Sequence, residues 1–154
     1  HHVIVLDTSR DVWDHDSFET AVSVAASLAL ASLRESRPVS VTTTEAWLPS
    51  GSAMRLLDTL SEIKAGSGGD LALRVREAVA ERPGVSALTL VVGPKVSDVD
   101  AAHLARLAPI DVPVSIIRIG GAEGRTRRDL GRGVLLDCSR LEDLPRIIVA
   151  GGLA

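Results

Sequence analysis

Residues 3–6 constrain the fold more than any other part of the chain, because four apolar side chains there lead directly into Asp7-x-Ser9-x-Asp11. A short, continuous apolar run is typical of a strand buried on both faces of a sheet. Oxygen donors at the end of such a strand indicate a place where ligands bind. This segment therefore predicts a buried strand followed by a candidate site.

Strand-like and helix-like segments alternate along the rest of the chain. Asp16 and Glu19 form a capping-box pattern before a helix with apolar residues at three- and four-residue spacing, and Pro38 ends it. Further strands are predicted over 39–44, 85–92, 112–119 and 133–138, and helices over 54–63, 71–79, 97–107 and 141–149. The expected N-caps of the last three helices are Asp70, Ser97 and Ser139.

This alternation predicts an α/β fold with three layers, in which a doubly wound, mostly parallel sheet is covered on both faces. Residues 45–48 are predicted to turn back as one short antiparallel edge strand. The ligand crevice of such a sheet lies at the carboxyl ends of its strands. The candidate loops are therefore residues 7–11, 66–70, 93–94 and 120–121.

Composition narrows the possible functions. A chain of 154 residues with 45% apolar residues can form a single domain, over residues 1–154, without a metal or disulfide. A net charge of −3 and the absence of Tyr disfavour nucleic-acid binding, and no segment reaches the roughly 18 apolar residues of a membrane span. The abrupt start on a strand suggests a domain from a longer protein, and His1 and His2 fit either native residues or a tag remnant. Cys138 is expected to be buried packing.

The order of strand, Asp-x-Ser, long helix, strand, edge hairpin, Gly-rich loop, helix and strand resembles the von Willebrand factor A superfamily. More narrowly, HHVIVLDTS and DSFETAVSVAASLALASL, followed by a Thr-Thr strand, are similar to the A-type domain of a large uncharacterised bacterial family. That family is often encoded beside MoxR-type AAA+ ATPases and has membrane-spanning segments before this domain. The resemblance implies a noncatalytic protein-interaction module, on the cytoplasmic side of a membrane-anchored assembly that works with such an ATPase.

The same resemblance implies where a divalent ion would bind in functional A domains. Its ligands there are Asp-x-Ser-x-Ser after the first strand, a Thr in the Gly-rich loop and an Asp after the fourth strand. Asp7 and Ser9 match this motif here, and Asp11 stands in the place of the second Ser. These three residues supply at most one side of a coordination shell.

The other ligand positions depart from the pattern. On the simplest alignment Gly69 takes the Thr position, although a shift by one residue would bring in Asp70. Gly93 and Pro94 replace the segment with the acidic residue. Two of the five ligands are then absent, so the resemblance implies a degenerate metal-ion-dependent adhesion site, with no cofactor and weak or absent Mg²⁺ binding. Asp7 is then expected to be a loop or helix-end hydrogen-bond acceptor.

A phosphoryl-transfer enzyme of the haloacid dehalogenase type is the alternative, because its nucleophilic Asp also follows a first apolar strand. That chemistry needs a second Asp two positions later, a Lys that balances the phosphate charge and an acidic pair for magnesium. Ser9 occupies the place of the second Asp, Lys95 is a candidate charge partner, and Asp137 is alone as a late strand-end acid. The noncatalytic module is the preferred hypothesis.

Residues 118–132 contain five arginines against two acidic residues. Such a run is typical of a solvated face. The alternative is a docking patch for an acidic partner, because arginine binds carboxylates in a bidentate manner. The residues assigned to that patch are Arg125, Arg127 and Arg128.

Overall fold

The structure, a computed structural model, describes residues 1–49, 51–66, 69–121 and 127–151. Its strands are β1 (His2–Leu6), β2 (Val39–Thr43), β3 (Ala87–Val92), β4 (Val114–Ile119), β5 (Arg127–Asp129) and β6 (Val134–Cys138). Its α-helices are α1 (His15–Arg34), α2 (Ala53–Glu62), α3 (Leu71–Glu81), α4 (Asp98–Ala105) and α5 (Leu144–Gly151). Short 3₁₀ turns cover Arg10–Val12 and Leu141–Asp143.

These strands form one sheet in the order β2-β1-β3-β4-β6-β5. Every neighbouring pair is parallel except β5 and β6, which are antiparallel. The predicted α/β fold with a mostly parallel sheet is therefore confirmed. The strand order reverses between β1 and β3, so the edge next to Asp7 is the switch point at which ligands bind in sheets of this kind.

Helices cover both faces of the sheet. Ile4 and Leu6 of β1 pack with residues of α1, α2 and α5, whereas Val3 and Val5 pack with residues of α3 and α4. Alternate residues of one strand therefore bury opposite faces, as the continuous apolar run predicts. Within the described residues, no helix has the length and apolarity that crossing a bilayer requires.

The antiparallel edge strand lies at the opposite edge from the predicted one. Residues 45–48 make only an isolated bridge between Trp47 and Thr42, whereas β5 is formed by the arginine-rich segment. The Thr43 hydroxyl accepts hydrogen bonds from the backbone N–H groups of Glu45 and Ala46, which turns the chain too tightly for a longer ladder. Charged residues suit an exposed edge strand because they oppose pairing with other chains.

The observed helix ends test four predicted N-caps. Asp70 and Ser97 are confirmed, since their side chains accept hydrogen bonds from the first turns of α3 and α4. Asp14, and not the predicted Asp16, caps α1, because its extended backbone directs its carboxylate to the Ser17 N–H at 2.8 Å. The prediction for Ser139 is wrong, because a 3₁₀ turn precedes α5 and begins after Arg140.

Candidate functional site

Several loops predicted to bind a ligand meet at the carboxyl ends of β1 and β3. Ser9 pairs with Gly66 in an isolated parallel bridge. The Gly66 N–H donates to the Thr8 carbonyl at 2.8 Å, and the Arg10 N–H donates to the Gly66 carbonyl at 2.6 Å. The loop after β1 is thus held against the segment between α2 and α3. The predicted convergence of these two loops is observed.

Asp7 lies at the inner end of this site and is only 3% exposed. Its Oδ1 accepts a hydrogen bond from the Ser9 N–H at 2.9 Å, a two-residue side-chain turn, and its carbonyl accepts one from Trp13 Nε1 at 2.8 Å. Burial raises the pKa of the Asp7 carboxyl, while hydrogen bonds from Ser9 act in the opposite direction. Asp7 is therefore a loop acceptor whose negative charge is poorly solvated.

A buried pair of threonine hydroxyls supports the same loop. Thr8 Oγ1 and Thr44 Oγ1 lie 2.7 Å apart, and both residues are almost completely buried. The pair joins the end of β1 to the residue after β2. Sequence reasoning missed it, because nothing in the spacing of two threonines 36 residues apart indicates that they meet.

The positions where the resemblance implies absent ligands have no room for side chains. A Cβ atom at Gly69, whose φ is +103°, would lie 2.8 Å from Thr44 Cβ and 2.9 Å from the Thr44 carbonyl oxygen. A Cβ atom at Gly93 would lie 2.5 Å from the Val12 carbonyl oxygen. The chain's own backbone therefore occupies the space into which ligand side chains at these two positions would extend.

The remaining candidate ligands are directed elsewhere. Asp11 is exposed in the 3₁₀ turn, and its carbonyl accepts a hydrogen bond from Lys95 Nζ at 2.9 Å. The Asp70 carboxylate accepts from the N–H groups of Ala72 and Leu73 at 3.0 and 3.3 Å. Pro94 has no side-chain oxygen. In the described part of the chain, no group of three or more His, Cys, Asp or Glu residues is arranged to hold a metal ion.

A groove of about 660 Å³ extends from Asp7 between α3 and α4. Its apolar lining includes Leu71, Leu104 and Leu107, and Asp70, Arg76, Asp100 and His103 also line it. Both helices begin at this edge of the sheet, so the groove opens at the switch point. It is a concave surface that adjoins the predicted loops at Asp7, Ser9 and Asp70.

A buried ion pair occupies the carboxyl ends of β4 and β6. Arg118 is only 5% exposed and donates through Nε and Nη2 to the two oxygens of Asp137, at 2.7 and 3.1 Å. Its Nη1 donates to Asp98 at 3.0 Å and to the Val96 carbonyl at 2.9 Å. The hydrogen bond to Asp137 is the main cause that raises the pKa of Arg118.

The prediction of a solvated arginine face is therefore wrong for Arg118, whose guanidinium forms part of the core at the end of the sheet. Arg127 is exposed in β5, and Arg128 pairs with Asp98 at 2.5 Å, which is the main cause that lowers the pKa of Asp98. Arg125 lies outside the described residues. The docking patch for an acidic partner remains a prediction.

His2 and Cys138 are buried at opposite ends of the sheet. The two ring nitrogens of His2 lie 2.8 Å from the hydroxyls of Ser32 and Thr89, so His2 is an integral residue of β1. Burial lowers the pKa of His2 to about 4. Burial raises the pKa of the Cys138 thiol to about 11, as expected for packing and not for a reactive thiolate.

Comparison with solved structures finds a similar fold in a protein described as von Willebrand factor type A from Catenulispora acidiphila. The TM-score is 0.58 at 14% identity, and the match covers 94% of this chain and 40% of that chain. The described domain thus spans less than half the length of its structural neighbour. No family model and no curated protein matches the sequence. At this identity the likeness establishes a von Willebrand factor A-like fold.

Two substitutions of Asp7 distinguish the contribution of its hydrogen bond to stability from the contribution of its negative charge. Asn keeps an acceptor for the Ser9 N–H and removes a buried charge, so Asp7→Asn should leave the free energy of unfolding at pH 7 unchanged or raise it. Asp7→Ala removes the acceptor and should be less stable than Asp7→Asn by about 1 kcal/mol. Urea denaturation measures both. Equal losses in the two variants would show that the negative charge stabilises the fold.

Restoring the implied ligands should not create a metal site. Gly93→Asp places a side chain against the Val12 carbonyl, and Gly69→Thr places a β-branched residue at positive φ against Thr44. Each change should lower the free energy of unfolding by about 1–3 kcal/mol through overpacking and backbone strain. Thermal melts with and without Mg²⁺ measure this. A double variant that retained parental stability and was then stabilised by Mg²⁺ would contradict the steric argument.

Proposed function

We propose that this domain is a noncatalytic protein-interaction module that binds its partner at the carboxyl edge of the sheet without a divalent ion. The observation that supports this is the position of the Val12 carbonyl and of Thr44, which fill the space beside Gly93 and Gly69. An open groove next to Asp7 remains at the carboxyl ends of the strands. The ligand positions at Gly69 and Gly93 are filled by other atoms of the chain. A degenerate metal-ion-dependent adhesion site of this kind can still present a surface to another protein.

The resemblance in the first strand and first helix extends the proposal to the assembly. The partner is an AAA+ ATPase of the MoxR type, and the domain lies on the cytoplasmic side of a membrane-anchored parent protein. Two structural features are compatible with this role. Exposed N-terminal ends of α3 and α4 lie at the carboxyl ends of the strands. The lateral edge strand β5 has charged residues, which oppose unspecific pairing with other chains.

The geometry gives less support to phosphoryl transfer. Asp137 is bound through both oxygens by Arg118, and Lys95 donates its hydrogen bond to the Asp11 carbonyl. Ser9 stands where a second acid would be needed. Among the described residues, Ser9, Lys95 and Asp137 therefore do not supply Asp7 with the acid, the phosphate-balancing cation and the magnesium ligand that the reaction requires.

Site-specific cross-linking tests the interaction face. The test position is His103, which lines the groove, and it is replaced by the photoreactive residue p-benzoylphenylalanine. The control position is Ile110, which lies in the loop before β4 and is 86% exposed, and it receives the same replacement. In cells that naturally make the protein, irradiation should give a covalent adduct with a specific protein from the His103 position only. Mass spectrometry identifies the partner. Adducts from Ile110 alone, or from neither position, would contradict the proposed interaction face.

The same proposal predicts that metal ions do not strengthen the fold. A micromolar Mg²⁺ or Mn²⁺ site in millimolar ion would raise the free energy of unfolding by roughly 3–4 kcal/mol. We expect a much smaller increase, and the same cross-linked adduct in the presence of EDTA. Titration calorimetry measures the binding directly. A single micromolar site that disappears in Asp7→Asn would refute the metal-independent function.

A further inference from the structure

Asp7 differs from the other buried carboxylate at this edge of the sheet because it has no cationic partner. Asp137 is paired with Arg118, whereas no Lys, Arg or His side chain of the described residues forms an ion pair or hydrogen bond with Asp7. Asp7 is 97% buried by its neighbours, yet it lines the groove between α3 and α4. A buried charge in such a position costs free energy until an opposite charge binds to it.

We infer that the groove binds a basic segment of the protein partner, and that a Lys or Arg side chain of that segment pairs with Asp7. This inference rests on the proposed interaction function and specifies the chemistry of the ligand. The side chain takes the place of the divalent ion that functional A domains bind. This pairing does not require the ligand positions at Gly69 and Gly93, which Thr44 and the Val12 carbonyl close.

The lining of the groove suits a long cationic side chain. Lys and Arg have an aliphatic stem that gains from apolar contact and a charged end that needs an acceptor. Leu71, Leu104 and Leu107 supply apolar surface along the groove, and the almost completely buried Asp7 lies in its wall. A volume of about 660 Å³ also leaves room for the residues on either side of the inserted side chain.

The charges around the groove favour a basic segment. Among the described lining residues, Asp7, Asp70 and Asp100 are acidic, against the cation of Arg76 and the imidazole of His103. The N-termini of α3 and α4, which would otherwise attract anions, are already capped by Asp70 and Ser97, and Asp98 and Asp100 lie in the first turn of α4. A bound cation would offset the cost of burying the Asp7 carboxylate without a partner.

Small molecules that carry only the ends of these side chains test the inference. We would titrate the protein with n-butylammonium, n-propylguanidinium, n-butanol and n-butyrate, and follow the amide signals of the groove and the carboxyl ¹³C signal of Asp7 by NMR. Both cations should bind at least about tenfold more tightly than n-butanol, which matches them in size without charge. Each cation should also lower the pKa of Asp7.

Two variants of similar chemistry serve as controls. Asp7→Asn should reduce the cation affinity to that of n-butanol, while the apolar contacts remain. Asp11→Asn removes an exposed carboxylate that does not line the groove and should leave the cation affinity unchanged. The pKa measurement on the parent protein is independent of how either variant folds.

Three results would overturn the inference. In the first, n-butanol and n-butylammonium bind with equal affinity and the pKa of Asp7 does not change. In the second, n-butyrate binds more tightly than either cation. In the third, neither cation binds in the groove up to its solubility limit. Cation binding that survived Asp7→Asn would also refute the assignment to Asp7. None of these results removes the adduct expected from the His103 position, so the inference can fail while the interaction function stands.

Discussion

Arg118→Met should lower the free energy of unfolding by about 3–5 kcal/mol, because it leaves the carboxylate of Asp137 buried without a cation. The side chains of Arg118 and Asp137 are each 7% exposed, so water cannot replace the lost partner. The change also removes the donor to the Val96 carbonyl, which holds the segment before α4. Urea denaturation at pH 7 measures the loss.

A neighbouring ion pair provides the control. Arg128 and Asp98 lie at 2.5 Å but have side-chain exposures of 30% and 47%, so Arg128→Met should cost less than about 1 kcal/mol. The double variant Arg118→Met with Asp137→Leu should recover most of the stability lost in Arg118→Met, since it removes the unpaired charge. If Arg118→Met and Arg128→Met cost the same, the Arg118 pair does not contribute as a buried charge.

The sheet was predictable because its strands are encoded by local apolar runs. Residues buried on both faces, such as those of β1 and β4, are apolar or small at nearly every position, which short-range patterns reveal. The edge strand β5 has no such signal: it consists of Arg127, Arg128 and Asp129 and is a strand only because β6 lies beside it. Its position therefore depends on tertiary structure that local patterns do not contain.

The candidate site was predictable only in part, for the same reason. The convergence of Asp7 with the loop at Gly66 follows from the crossover between β2 and β3, because the helix that leads into a parallel strand begins at the carboxyl ends of the strands and Gly66 lies shortly before α3. Val12 and Thr44 close the site because loops that are distant in the sequence approach each other closely. The glycines at 69 and 93 can be interpreted as close contacts only after the positions of those loops are known. The salt bridge between Arg118 and Asp137 could not be predicted for the same reason, because Asp137 lies 19 residues further along the chain.

His2 should make the fold sensitive to mild acid. The folded state lowers the pKa of His2 from 6.5 to about 4, mainly by burial and also through the nearby charge of Arg37. Protonation therefore favours the unfolded state: the stability is fully present above the unfolded pKa of 6.5 and is lost as pH falls towards the folded value. Between pH 7 and pH 4.5 the loss from this residue should be about 2–3 kcal/mol.

The measurement requires a background without Asp7, whose raised pKa acts in the opposite sense. A carboxyl that takes up its proton more readily in the folded state adds stability as pH falls, so Asp7→Asn removes this compensation. In that background, His2→Gln should flatten the decline in the free energy of unfolding between pH 7 and pH 4.5, while His103→Gln, at an exposed position of α4, should retain it. The carboxyls of Asp14 and Asp98, whose pKa values are lowered, lose their contributions progressively below about pH 5, so they act only at the acid end of this window and equally in both variants. An acid decline of the same slope with His2→Gln as with His103→Gln would show that the imidazole of His2 is not the group responsible.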